Sequence, residues 1–130
     1  MTERAFESFD EFWDFYVSEH RKKPTRVLHF LGTTAAMGCI AGGLLTKRRW
    51  LLLVAPVVGY GPAWIGHFFV EKNRPASFTY PLWSFRGDLR MWWKMVTGTM
   101  DAEVERVLAK EREERAEPEP PAEPASSMVN

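Results

Sequence analysis

Two apolar runs, Val27 to Thr46 and Trp50 to Val70, are separated only by Lys47-Arg48-Arg49. The first holds twenty residues with no charge except a potential one on His29; the second holds twenty-one. At ~1.5 Å per residue, each helix would reach ~30 Å, the thickness of a bilayer core. Three basic residues leave room only for a tight turn, so the runs predict an antiparallel hairpin of membrane helices. A mean hydropathy of −0.28 reads as soluble, but this average hides the layout: apolar residues fill the middle and charges crowd the ends. The formal net charge of zero gives the chain no electrostatic reason to bind nucleic acid. The acidic, aromatic start, Met1 to Asp10, is not a secretory signal. The single cysteine, Cys39, reads as a small buried hydrophobe.

His29 and His67 stand nineteen residues either side of Arg48. In an antiparallel hairpin they share one depth, at its open end. Ionisable side chains in membrane segments are costly and usually functional. Two spans put both termini on one side. Arg21, Lys22, Lys23, Arg26, Lys72, Arg74, Arg86 and Arg90 flank the hairpin, against three cations in the turn. The positive-inside rule then predicts cytoplasmic termini and a multi-pass integral membrane protein.

Outside the hairpin, Phe6, Phe9, Trp13, Tyr16 and His20 recur at 3-4-3-4 spacing, one face of a helix. The stripe suits either a membrane interface or an ordinary core. Pro24 fits the first turn of the next helix. Gly38 and Gly42 predict close helix packing. Gly59-Tyr60-Gly61-Pro62 predicts a kink or break just before His67. Gly87-Asp88 resembles a cap for a short amphipathic helix, Leu89 to Thr97, carrying Met91, Trp92, Trp93 and Met95. Asp101 is expected to cap a charged helix over 99–115 with a narrow edge of Val104, Val107 and Leu108 and a Glu111/Arg115 pair. The proline- and glutamate-rich residues 116–130 are expected to be disordered. The organisation is therefore an all-α membrane-embedded domain, 1–98, with spans at about 27–46 and 50–70 and flanking interfacial amphipathic helices.

All three histidines, His20, His29 and His67, fall on one predicted face, and Glu71 follows His67 by four residues. Imidazoles with one carboxylate and open positions suit a divalent transition metal, commonly non-haem iron(II). Asp88 or Asn73 could hold a ring nitrogen that does not bind metal. A second metal reading makes His29 and His67 the axial ligands of a haem. Arg74 and its neighbouring cations could meet a carboxylate at the membrane surface, with a long acyl chain lying among the spans. The competing class is a non-enzymatic membrane hairpin that scaffolds partners.

Phe15-Tyr16 with His20, then Leu28-His29, resemble the amino-terminal motif of a family of small multispan membrane proteins. Trp64-Ile65-Gly66-His67-Phe68-Phe69-Val70-Glu71-Lys72-Asn73-Arg74-Pro75-Ala76 resembles its second motif, Gly-His-x-x-x-Glu-(Lys)-x-(Arg)-Pro-Ala. The family is that of the fungal 2-hydroxy fatty acid dioxygenases, which convert phytosphingosine-derived acids to odd-chain acids. The resemblance spans about residues 9 to 96. It implies Fe(2+)-dependent α-oxidation of a long-chain 2-hydroxy acid by O2, with loss of CO2 and shortening by one carbon. It implies His20, His29 and His67 as metal ligands; Glu71 matches the motif's acid and Arg74 its arginine. The fungal form has a longer middle between the motifs; a homodimer through Gly38 and Gly42 could supply the wall that this chain lacks.

Overall fold

The computed structural model describes residues 6–117, and these are helical with no strand. Helix α1 spans Phe9–Ser18, α2 Lys23–Thr46, α3 Trp50–Ile65, α4 Pro81–Val96 and α5 Met100–Ala116. A π-helical turn, Gly66–Glu71, extends α3, and a 3-10 turn, Ala76–Phe78, leads into α4. Most of the tail expected to be disordered, 118–130, lies outside the described residues.

The two long apolar helices pair as the predicted hairpin. Pro24 occupies the first turn of α2, as its missing N–H allows. Lys47, in the left-handed region at φ 59°, turns the chain between them. Both α2 and the combined helix Trp50–Glu71 are long and apolar enough to cross a membrane, and little of either is buried by protein. Leu44, Leu45, Leu53 and Val57 are all at least two-thirds exposed, a surface suited to lipid rather than water.

The seam between the helices differs from expectation. Gly38 faces open space and Gly42 makes only an ordinary contact with Leu51. Close approach occurs instead at Gly32, where a Cβ would lie 2.7 Å from the Gly59 carbonyl oxygen. Without a hydrophobic drive between helices in lipid, such close backbone packing is what holds a pair together. Gly32→Val should therefore destabilise the hairpin by about 1–3 kcal/mol, whereas Gly38→Val should be near neutral. Thermal unfolding in detergent separates the two, and equal midpoints would contradict this packing.

Helix α3 also passes Pro56 and Pro62 without breaking. The carbonyl oxygens of Val58 and Gly59 lie against α2 at Gly32, and the chain stays helical through the expected weak point. The irregularity falls one turn later, in the π-helical turn that carries His67.

Helices α1, α4 and α5 form a second layer with a water-excluding core. Phe12, Trp13, Tyr16, Val17, Met91, Met100, Val104 and Val107 are buried in it. The aromatic stripe of α1 thus faces a packed core, with Phe6 and Phe9 partly buried at its edge. Ser8 caps α1 by accepting the Glu11 N–H.

Helix α4 begins at Pro81, a full two turns before the expected start, so Gly87 and Asp88 lie inside the helix rather than capping it. The glycine has a packing reason: a Cβ there would meet the Tyr16 ring at 2.9 Å. Helix α5 starts at Met100 with Thr99 before it making no side-chain cap bond, and Asp101 lies in the first turn facing Arg26 rather than capping the helix. Glu111 bonds Arg21 across to the end of α1, at 2.7 and 2.8 Å, rather than serving the i,i+4 pair with Arg115. Arg106 and Lys110 likewise bridge to Asp14. Such exposed pairs orient α5 on α1 while contributing only about 0–1 kcal/mol each.

Candidate metal centre

Three separate elements deliver the histidines. His20 follows the end of α1, His29 lies in the second turn of α2, and His67 sits in the π-helical turn. All three are buried, at 1%, 4% and 3% exposure. Their ring centroids stand 4.4, 4.5 and 5.0 Å apart with planes 80–87° to one another, a three-bladed arrangement around one point. One nitrogen from each ring lies within 4.8 Å of the others.

The hydrogen bonds fix which nitrogen that is. His20 Nδ1 donates to the Tyr16 carbonyl at 2.6 Å, and His29 Nδ1 donates to the Thr25 carbonyl at 3.1 Å. A carbonyl can only accept, so both rings carry their proton on Nδ1. His67 Nδ1 meets Asn73 Oδ1 at 2.7 Å. The Asn73 amide cannot be reversed without loss, because its Nδ2 donates to the Glu19 carbonyl at 3.0 Å. All three imidazoles therefore present bare Nε2 lone pairs to a common centre.

His20 Nε2 and His29 Nε2 are 3.1 Å apart. With both Nδ1 atoms protonated, no proton is left between them in the neutral rings, and two lone pairs at that distance repel. A cation resolves the conflict. Two nitrogens each ~2.1 Å from one ion, at roughly right angles, stand about 3 Å apart. Burial, with His29 and His67 beside it, holds the His20 imidazole well below its usual pKa, which keeps it in the neutral ligating form. The donor set fits a borderline divalent ion such as iron, zinc or copper. Three protein ligands would leave positions open on such an ion.

The haem alternative would leave His20 without a role, although it is in edge contact with both His29 and His67.

Glu71 and Arg74 do not join the cluster. The Glu71 carboxylate accepts the Lys22 backbone N–H at 2.5 Å and so caps the start of α2. The i+4 expectation assumed an α-helix; the wider π turn changes which residues share a face. The Arg74 guanidinium lies over the Phe78 ring, 5.2 Å from its centroid, on the outside.

Other residues complete the site. Tyr16 stacks on His20 with centroids 4.1 Å apart and donates its hydroxyl to Asp88. Arg26, buried, donates to the carbonyls of His20 and Arg21 at 2.8 and 2.6 Å, closing the end of α1 where His20 sits. Beside the triad is a space of about 10 Å³ for a water-sized ligand, walled in part by Tyr60, Ser84 and Asp88. The Ser84 hydroxyl is buried without a partner among the described residues, which suits a group waiting for a ligand oxygen. Burial pushes the Asp88 carboxyl up to about 7, against the hydrogen bond from Tyr16. Of these residues the sequence reading singled out Asp88 and Asn73 as partners for ring nitrogens; Asn73 fills that role and Asp88 instead holds Tyr16.

Asn73 gives a direct test of this geometry. Asn73→Ala removes the acceptor that orients His67, and should weaken metal binding by about 10–100-fold while the helical content is unchanged. Competition with a chelator measures it; unchanged affinity would mean that Asn73 does not hold the ring.

The Mpo1-like family, described as 2-hydroxy-palmitic acid dioxygenase Mpo1-like, matches residues 6–100, and the chain belongs to it. No curated protein and no solved structure matches the chain.

Proposed function

We propose that this Mpo1-like protein is an iron-dependent dioxygenase embedded in a membrane, which shortens a 2-hydroxy fatty acid by one carbon. The observation that supports the reading is the convergence of three buried imidazoles, each with Nδ1 bonded to a carbonyl or amide oxygen and one nitrogen free to face the other two rings. His20, His29 and His67 would hold iron(II), which when bound supplies the activation of O2. The family's description supports a 2-hydroxy acid as substrate.

The overall chemistry balances without a further reductant. R–CH(OH)–COOH and O2 give R–COOH, CO2 and H2O: the C1–C2 bond breaks, C2 becomes the new carboxyl carbon, and O2 is reduced. The residues around the triad fit the polar end of such a molecule. The Ser84 hydroxyl, buried without a partner among the described residues, would bond a substrate oxygen. Asp88, poised near 7, can take the proton of the 2-hydroxyl. Tyr16 holds Asp88 and stacks His20, so it orients both. Arg74, on the outer surface, would attract the acid carboxylate before entry rather than hold it during reaction.

The hairpin would place this site at the bilayer surface. Both termini would lie on the cytoplasmic side and Lys47-Arg48-Arg49 on the other. The test of the reaction is turnover: the iron-loaded protein given 2-hydroxypalmitate should consume O2 and release a C15 acid. No product from several 2-hydroxy acids, with iron bound, would remove this reading.

A further inference from the structure

A second hollow of about 220 Å³ opens beside the triad, between α2 and α3, with Phe85 and Leu89 of α4 along one side. His29, Tyr60, Ala63 and Asp88 line both this hollow and the space at the triad. Its α2 wall runs from His29 through Thr33 and Ala36 to Ile40, steps of four, three and four residues along one helix face. Its α3 wall returns through Gly59 and Ala55 to Leu52.

The wall is graded. Polar groups gather at the His29 end, small residues form the middle, and the large apolar Ile40 and Leu52 stand at the far end. Leu52 has little freedom to move away from α3 toward α2: it is seated on Gly43, where a Cβ would lie 3.0 Å from Leu52 Cδ2. At about 220 Å³ the hollow is too small for a helix, which is about 10 Å across with its side chains. It fits one flexible apolar chain with a single polar end. From His29 to Ile40 is about 16 Å along the helix axis. Carbon–carbon bonds of ~1.5 Å advance an extended chain by about 1.25 Å each, so this length holds roughly thirteen carbons.

We propose that this groove is the acyl-tail channel of the lipid acid, and that Ile40 and Leu52 end it and set the preferred chain length. The proposal rests on the reading of the triad given above. With C1 and C2 at the metal end, thirteen further carbons correspond to an acid of about C15 to C16.

The test uses the full chain, iron-loaded, in phosphatidylcholine nanodiscs under anaerobic conditions. The probes are 2-hydroxypalmitates carrying a photoreactive diazirine at the terminal carbon or at C8. The terminal probe should label Ile40 and Leu52, and the C8 probe Thr33 and Gly59. Unlabelled 2-hydroxypalmitate should reduce both signals at least tenfold, and added phospholipid should not. Labelling confined to the outward Leu44, Leu53 and Val57, or labelling that only phospholipid displaces, would overturn the channel.

A variant supplies the second measurement. Ile40→Trp, at the groove's end, should lower binding of 2-hydroxypalmitate at least tenfold relative to 2-hydroxylaurate, as measured by competition against the C8 probe. An unchanged ratio would overturn the assignment of Ile40. The two readings fail separately. Groove labelling without turnover leaves the channel standing and sinks the reaction; turnover with labelling elsewhere does the reverse.

Discussion

Iron(II) added anaerobically to the metal-free protein should raise its thermal stability, and His29→Ala should abolish that response. A ligand at a hundred times its Kd stabilises a folded protein by about 2.7 kcal/mol. His29→Ala takes away one of three ligands, and metal affinity should fall by at least about 100-fold, beyond what loss of a supporting contact causes. The metal-free variant should be damaged little, because it also loses the opposed lone pairs of His20 and His29 at 3.1 Å. Thermal scans of both proteins with and without iron give four midpoints. Equal shifts with metal would show that the triad is not where it binds.

The second large effect is expected at Arg26. Its guanidinium is buried and bonds two carbonyls at the end of α1, those of His20 and Arg21. Hydrogen bonds to a charged group contribute about 1.5–3 kcal/mol each, and Arg26→Ala would strand buried acceptors. A stability loss of about 3 kcal/mol is expected, with weaker metal binding because His20 loses its support. Asp101→Ala, which removes only the exposed partner of Arg26 at 3.4 Å, should cost well under 1 kcal/mol. Chemical denaturation in detergent distinguishes these outcomes, and equal losses in the two variants would contradict the capping role.

Part of the site could be read from the sequence because periodicity decides it. The mirrored placement of His29 and His67 follows from two antiparallel helices, one ending and the other starting two residues either side of Arg48. His20 joins them because the 3-4-3-4 stripe carries through the end of α1. What could not be read depends on contacts between distant segments. Gly87 looks like a helix boundary until the Tyr16 ring is seen against it. Asp88 then falls inside α4, aimed at Tyr16, instead of at a cap.

Glu71 shows the same limit. Its i+4 relation to His67 assumes an α-helical turn, and the chain makes a π turn there that sends the carboxylate to Lys22. Arg26 reads as one more cation flanking a membrane span, and only the fold shows that its charge is used on backbone oxygens. Gly38 and Gly42 have the spacing of a packing motif, but the seam was taken by Gly32 and Gly43, which spacing alone does not separate from them.

The central claim is that His20, His29 and His67 hold one metal ion. Its most direct test is the metal content of protein purified anaerobically, for the wild type and for His67→Ala. Close to one iron per chain is expected in the wild type and almost none in His67→Ala. Less than about a tenth of an equivalent of iron in the wild type, with affinity for added iron(II) equal in both proteins, would contradict it.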